Sequence, residues 1–271
     1  MEDLFELISD IHIDHWDNNY KAKYPCCKTK NYPLIYEDKK DKILIVAGDI
    51  CDDIEISINY LHEISKYYKK ILFVDGNHEH TLKYPYLNSV EYIDSLVKKK
   101  ENEKLVYLPN NDFFYKDYVI IGCCGWWNYQ NENEQEKINN QNYFNRWIKH
   151  FTLEDNKIFI DNVIACANQE YKTLKNKIEK YNCLDNVKKI IIVTHTIPLV
   201  QFCDEDEIST ELNTSFKNII DNNKKIKSWI FGHTHQNFHV RKNNIHFICN
   251  PRGRPDDFNR KTYNILNLES V

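Results

Sequence analysis

Five times in this 271-residue chain a short apolar run ends directly in side chains able to hold a cation. LFELIS (4–9) runs into Asp10-Ile11-His12, KILIVAG (42–48) into Asp49, and KILFVDG (70–76) into Asn77-His78-Glu79. KKIIIVT (188–194) runs into His195, and SWIFG (228–232) into His233-Thr234-His235. Carboxylates, imidazoles and one amide, with no thiolate, form a borderline-to-hard donor set suited to Mn, Fe, Zn or Ni. A strand-end histidine on its own reads as a surface or satisfied interior imidazole; the whole ordered set reads as a metal site. Two divalent cations would bring four positive charges, of which Asp10 and Asp49 cancel two. The remainder can attract phosphate and stabilise charge building on its oxygens.

Side chains this far apart must be gathered by the elements beneath them. The five runs, together with YVIIG (118–122) and NIHFIC (244–249), have the length and the Ile/Val content of buried strands. Between them, residues 53–69, 86–100, 154–180 and 207–223 carry helical periodicity with lysine-rich outer faces. Strands alternating with helices predict an α/β fold, in which ligands collect beyond the carboxyl ends of the strands. No Pro/Gly/Ser linker divides the chain, so residues 1–271 read as one domain. The polar, Asn-rich stretch 128–145 reads as a surface loop insertion, with a lid over the site as the alternative.

The composition narrows the partners. A net charge of −4 does not suit a protein that coats nucleic acid, although a small anionic substrate can still meet a local cationic site. The nine cysteines are odd in number, include two adjacent pairs and form no C-x-x-C, which predicts reduced thiols rather than disulfides or a zinc knuckle. MEDLFELISD lacks a basic leader, and no run approaches the roughly 20 apolar residues of a membrane span. The expectation is a soluble cytoplasmic protein. Abundant Asn, Ile, Lys and Tyr suit an AT-rich genome.

Asp10-Ile11-His12, Gly48-Asp49-Ile50-Cys51-Asp52, Gly76-Asn77-His78-Glu79, Thr194-His195 and Gly232-His233-Thr234-His235 resemble, in order, the five signature blocks of the calcineurin-like metallophosphoesterases. Ile248-Cys249-Asn250-Pro251-Arg252-Gly253 and the stretch Gly122 to Trp127 are similar to a subgroup of small cytosolic members. The resemblance implies a sandwich of two mixed β-sheets flanked by α-helices. It implies that Asp10, His12, Asp49 and His235 hold one divalent metal. Asp49 then bridges to a second, completed by Asn77, His195 and His233, with Mn the first choice. A water shared by two such cations has a lowered pKa and can attack phosphorus in line. His78 would be the catalytic imidazole, protonating the leaving oxygen or stabilising its charge. Asp52 and Glu79 would support the site from outside the ligand ring, Glu79 having a helix-start carboxylate as its alternative. The sequence departs from many subgroup members at Thr196, where they carry a second histidine, which bears on substrate handling.

Arg252 and Arg254 could grip a phosphate, or belong to a solvated turn around Gly253 and Pro255. Trp126, Trp127 and Tyr129 could stack on a nucleobase, or simply pack. The substrate expected is a small phosphorylated molecule, nucleotide-like, cleaved as a phosphodiester; a phosphomonoesterase or protein phosphatase is the alternative. A binding module on the same scaffold, as in the retromer subunit, lacks the catalytic histidine, whereas His78 and all seven ligand residues are present here. A nuclease would bring a cationic surface that this sequence does not show.

Overall fold

The computed structural model describes residues 4–16, 39–81, 89–129, 153–203, 212–255, 257 and 263–268, without the side chains of 153–160. Its strands are β1 (Phe5–Ile8), β2 (Lys39–Ala47), β3 (Tyr68–Val74), β4 (Leu105–Tyr107), β5 (Phe113–Tyr115), β6 (Tyr118–Cys123), β7 (Lys189–Thr194), β8 (Ile226–Phe231), β9 (Phe238–Lys242), β10 (Ile245–Cys249) and β11 (Leu266–Leu268). One sheet has the order β11-β1-β2-β3-β4, the other β5-β6-β7-β8-β10-β9. Strands β1 to β4 run parallel with β11 antiparallel; β6, β7, β8 and β10 run parallel with β5 and β9 antiparallel. Two mixed sheets flanked by helices are thus the architecture.

The apolar runs form strands buried on both faces because alternate residues serve different cores. From β2, Ile43, Ile45 and Ala47 enter the layer between the sheets. There they join Leu72 and Val74 of β3 and Ile191, Val193, Ile230 and Ile248 of the opposite sheet. Leu44 and Val46 point the other way, onto helices α2 (Ile54–Ile64) and α3 (Ser89–Lys99) through Ile58, Leu61 and Ile93. On the outer face of the second sheet, Ile190, Ile192, Trp229 and Phe247 pack on α4 (Leu153–Asn182) and α5 (Phe216–Asn222). A short α1 (Ile13–Trp16) follows β1. Each fully buried Ile or Leu contributes about 1.5–3 kcal/mol, so a charge at Ile45 or Ile191 would open the layer between the sheets.

All seven expected strands are present. The four unforeseen ones lie at sheet edges or are only three residues long, so no apolar run announces them. β9 is exposed along most of its length and joins β10 through Asn243 and Asn244, whose φ values of 51° and 63° suit a primed hairpin turn. α2 is shorter than expected: a 3-10 turn at Ser65–Tyr67 ends it, and β3 begins at Tyr68. The last helix covers only Phe216–Asn222 of the expected 207–223, of which 207–211 lie outside the described residues. So does the polar stretch 128–145 from residue 130 onward. Cys51, Cys123, Cys124, Cys166, Cys183, Cys203 and Cys249 are free thiols. Among the described residues no helix is long and apolar enough to cross a membrane.

Candidate metal centre

The carboxyl ends of β1, β2 and β3 in one sheet and β7, β8 and β10 in the other deliver their loops to one place. Backbone hydrogen bonds lace these loops together. The Asp10 and His12 amides donate to the Gly48 and Asp49 carbonyls, at 3.0 and 3.1 Å, and Gly232 N–H donates to the His195 carbonyl at 2.8 Å. Arg252 and Gly253 amides donate to the Ser9 and Asp10 carbonyls, at 2.9 and 2.8 Å, joining the two sheets beneath the site. Such sharp turns force left-handed backbone on residues with side chains. The φ values are 47° at Asp10, 38° at His12, 55° at Asp49, 72° at His233 and 52° at His235. Each such residue costs on the order of 1–3 kcal/mol, which the surrounding hydrogen bonds and packing must offset. Two glycines make room: a Cβ on Gly76 would lie 2.1 Å from Asp49 Oδ1, and one on Gly48, at φ +79°, would lie 2.6 Å from His195 Nδ1.

The donors separate into two groups. His195 Nε2 lies 2.9 Å from Asn77 Oδ1, 3.2 Å from Asp49 Oδ1 and 3.2 Å from His233 Nδ1. His12 Nε2 lies 2.9 Å from His235 Nε2 and 3.8 Å from Asp49 Oδ2, while His235 Nε2 is 3.8 Å from Asp10 Oδ1. One Asp49 oxygen therefore faces each group. His195 Nδ1 donates to the Ala47 carbonyl at 2.9 Å, which fixes the ring orientation and turns Nε2 inward.

These residues fit a cation. The Nε2 atoms of His12, fully buried, and His235, partly buried, lie 2.9 Å apart, close enough to share one cation, and Asp10 Oδ2 has no hydrogen-bond partner among the described residues. Burial, reinforced by neighbouring imidazoles, pushes His12 well below the usual histidine range and His233 down to about 3, so both rings are neutral donors. Burial also opposes charge on His195, but the Asp49 and Asp10 carboxylates outweigh it and raise this imidazole to about 10. Asp49, despite burial, is held well below the usual carboxylate range by His195 and His78.

His78 stands beside the donors. Its amide donates to Asp49 Oδ1 at 2.9 Å, and Nδ1 meets Asp52 Oδ1 at 2.5 Å. Its Nε2 lies 2.8 Å from Arg254 Nη2. Burial pulls its pKa down and Asp49 and Asp52 pull it up further, leaving it raised. Glu79 lies behind the site. Oε2 accepts the Asp49 and Gly76 amides at 3.0 and 2.7 Å; Oε1 accepts the Ile50 and Cys51 amides at 2.7 and 3.1 Å and the Ser57 hydroxyl at 3.0 Å. Its carboxylate holds the Gly76 and Asp49 turns in place.

Three expectations for substrate contact need correction. Arg252 is 3% exposed with its guanidinium 3.9 Å from the Trp16 ring centroid, so it packs and is not a free clamp. Trp126 and Trp127, at 2% and 0% exposure, sit in a core cluster with Val163 and Ala167. Their rings lie near His80 and His233, at 5.2 and 5.9 Å between centroids, and offer no open face to a nucleobase. Arg254 remains, half-buried against His78. Two residues that sequence reasoning missed bear on the site. Asp257 Oδ2 meets His235 Nδ1 at 2.6 Å, and Glu170 accepts the Gly125 and Trp126 amides, both at 2.9 Å. One lies in a polar turn and the other on a helix, so neither carries a strand-end signal.

The family model for calcineurin-like phosphoesterases matches residues 7–237. An uncharacterized protein of Acanthamoeba polyphaga mimivirus is 25% identical over 267 residues, covering 92% of this chain and 91% of that one. Among solved structures, a phosphopantetheinyl hydrolase from Mycobacterium tuberculosis superposes with a TM-score of 0.70 at 16% identity, over 99% of this chain and 96% of that one. A dimetal phosphatase from Danio rerio gives 0.50 at 13% identity, over 90% and 86%.

Proposed function

From the premise that this chain belongs to the calcineurin-like phosphoesterase family and is a metallophosphoesterase, we propose that it hydrolyses a small phosphodiester at a centre of two divalent cations. The observation that carries this reading is the division of Asp49: Oδ1 faces Asn77, His195 and His233, and Oδ2 faces the side of His12, with Asp10 and His235 beyond. Asp10, His12, His235 and Asp49 would hold one cation; Asp49, Asn77, His195 and His233 would hold the other. Mn is the first choice for this oxygen and imidazole set, with Fe, Zn or Ni able to replace it. When bound, the cations supply Lewis acidity and a water of lowered pKa.

The protein's own groups do the rest. Arg254 is placed to hold a non-bridging phosphate oxygen by charge-assisted hydrogen bonds. Asp52 accepts the Nδ1 proton of His78 and orients the ring, so that Nε2 can pass a proton to the leaving oxygen. For that transfer Arg254 must release Nε2 and turn to the phosphate. Among the described residues one arginine, Arg254, stands open beside the donors, which suits the single charge of a diester better than the double charge of a monoester. The NPRG segment (250–253), whose Gly253 amide donates to the Asp10 carbonyl beneath the site, supports a place in the small cytosolic subgroup and a cytoplasmic location.

The test is turnover of a chromogenic phosphodiester and the matching monoester by metal-stripped protein, before and after Mn²⁺ is restored. A panel of cyclic and linear nucleotides follows, extended to phosphopantetheinyl esters by the mycobacterial neighbour. Mn-dependent cleavage that favours the diester is expected. Two bound cations without turnover of any substrate would leave a binding module instead.

A further inference from the structure

The two ring nitrogens of His235 have opposite surroundings. Nε2 faces into the site, 2.9 Å from His12 Nε2 and 3.8 Å from Asp10 Oδ1. Nδ1 faces out, 2.6 Å from Asp257 Oδ2, and among the described residues it has this one hydrogen-bonding partner. An ionised carboxylate only accepts, so the contact puts the ring proton on Nδ1 and leaves the Nε2 lone pair pointing at the other donors.

Asp257 is itself held. The same Oδ2 accepts the Arg254 amide at 2.6 Å, and the Asp257 amide donates to the Arg254 carbonyl at 3.1 Å. This closed turn anchors the carboxylate to the segment that bonds through Gly253 to the Asp10 carbonyl. The His235 side chain is 20% exposed and that of Asp257 26%, so water screens the pair only in part. His235 also sits on left-handed backbone, with φ of 52°.

We propose that Asp257 is a positioning residue for His235, fixing its ring orientation and its Nδ1–H tautomer and thereby setting the affinity of the cation site formed with Asp10 and His12. The inference rests on the reading of those three residues as ligands. A carboxylate behind a ligating imidazole raises the basicity of the nitrogen that faces the metal, and losing such a partner costs about 10–100-fold in metal affinity. A carboxylate that merely closed the 254–257 turn would change no cation affinity selectively.

The experiment uses the full-length chain stripped with chelator and titrated with Mn²⁺ by calorimetry, with electron paramagnetic resonance counting bound ions. Wild type, Asp257→Asn and Asp257→Ala are compared. Wild type is expected to take up two ions. Asp257→Ala should bind one of them about 10–100-fold more weakly and the other as tightly as before. Asp257→Asn should lose less, because its amide oxygen still accepts the Nδ1 proton but brings no charge. Unchanged affinities in both variants, or equal weakening of both ions, would overturn the proposal. If Asp257→Ala fails to fold, the asparagine variant decides by the same selectivity. Wild type that binds no Mn²⁺ would instead bring down the reading of the centre itself, a result distinguishable from failure at Asp257 alone.

Discussion

Glu79→Gln should cost this protein much of its stability while changing neither volume nor shape. The carboxylate accepts four backbone amides, two on each oxygen, and the Ser57 hydroxyl joins on Oε1. A glutamine has one oxygen and one NH₂, and the NH₂ must face one of those amide pairs. If it replaces Oε2 it confronts the Asp49 and Gly76 amides; if it replaces Oε1 it confronts those of Ile50 and Cys51, since only Ser57 can turn and accept. Either way two N–H groups lose their acceptor in a site where Glu79 is 2% exposed. At about 1–3 kcal/mol for each orphaned group, the loss is roughly 2–6 kcal/mol. That is a large share of the ~5–15 kcal/mol by which a domain is ordinarily stable. Urea unfolding of the metal-free protein at one fixed pH measures it, because bound cations would add their own linkage. The turns that carry Asp49 and Asn77 would loosen together, so the residual folded enzyme should also lose turnover. A glutamine variant within about 0.5 kcal/mol of wild type would refute the view that Glu79 organises these turns.

Four further outcomes follow from the same geometry. His78→Ala should retain both cations, counted by metal analysis, while kcat falls about 10²–10⁴-fold; unchanged turnover would remove His78 from the chemistry. Arg254→Ala should lower kcat/KM by about 10–100-fold through a lost charge-assisted contact. Arg252→Ala should instead cost about 0.5–2 kcal/mol of stability, by chemical denaturation, and leave kcat/KM near wild type, since Arg252 packs on Trp16. Burial first, and then the Asp75 carboxylate, raise Glu170 to about 8 from an ordinary 4.5. Between those values the unfolded chain has lost this proton and the folded one keeps it, so the contribution of Glu170 to stability falls as pH rises from about 4.5 to about 8. Glu170→Gln can still accept the Gly125 and Trp126 amides through its oxygen. Its melting temperature should match wild type near pH 5 and exceed it increasingly up to pH 8, while parallel curves would refute the assignment.

Much of this was legible because the fold writes its site at a repeated address. Each of the five ligand-bearing blocks follows a run apolar enough to be a strand buried on both faces, and chain geometry then puts the next residue at the sheet edge. Asp10, Asp49, Asn77, His195 and His233 could therefore be read as converging. Trp126 and Trp127 follow β6 in the same manner, yet they turn inward onto Val163 and Ala167 of α4. Strand position tells where a residue starts, and packing decides which way its side chain goes. The two arginines differ for a similar reason. Trp16, from the short helix after β1, covers Arg252 and leaves Arg254 to reach His78.

Residue type and order by themselves determined the sheet-forming segments, the α/β class and the donor set at the strand ends, because these depend on local hydrophobic period and on the chemistry of single side chains. Only the tertiary structure decided which Asp49 oxygen faces which group, that Glu79 holds two turns, and that Asp257 stands behind His235. Those are relations between atoms from segments with no common periodicity. They exist only once two sheets have closed on a shared apolar layer and the backbone has been driven into left-handed turns at their edge.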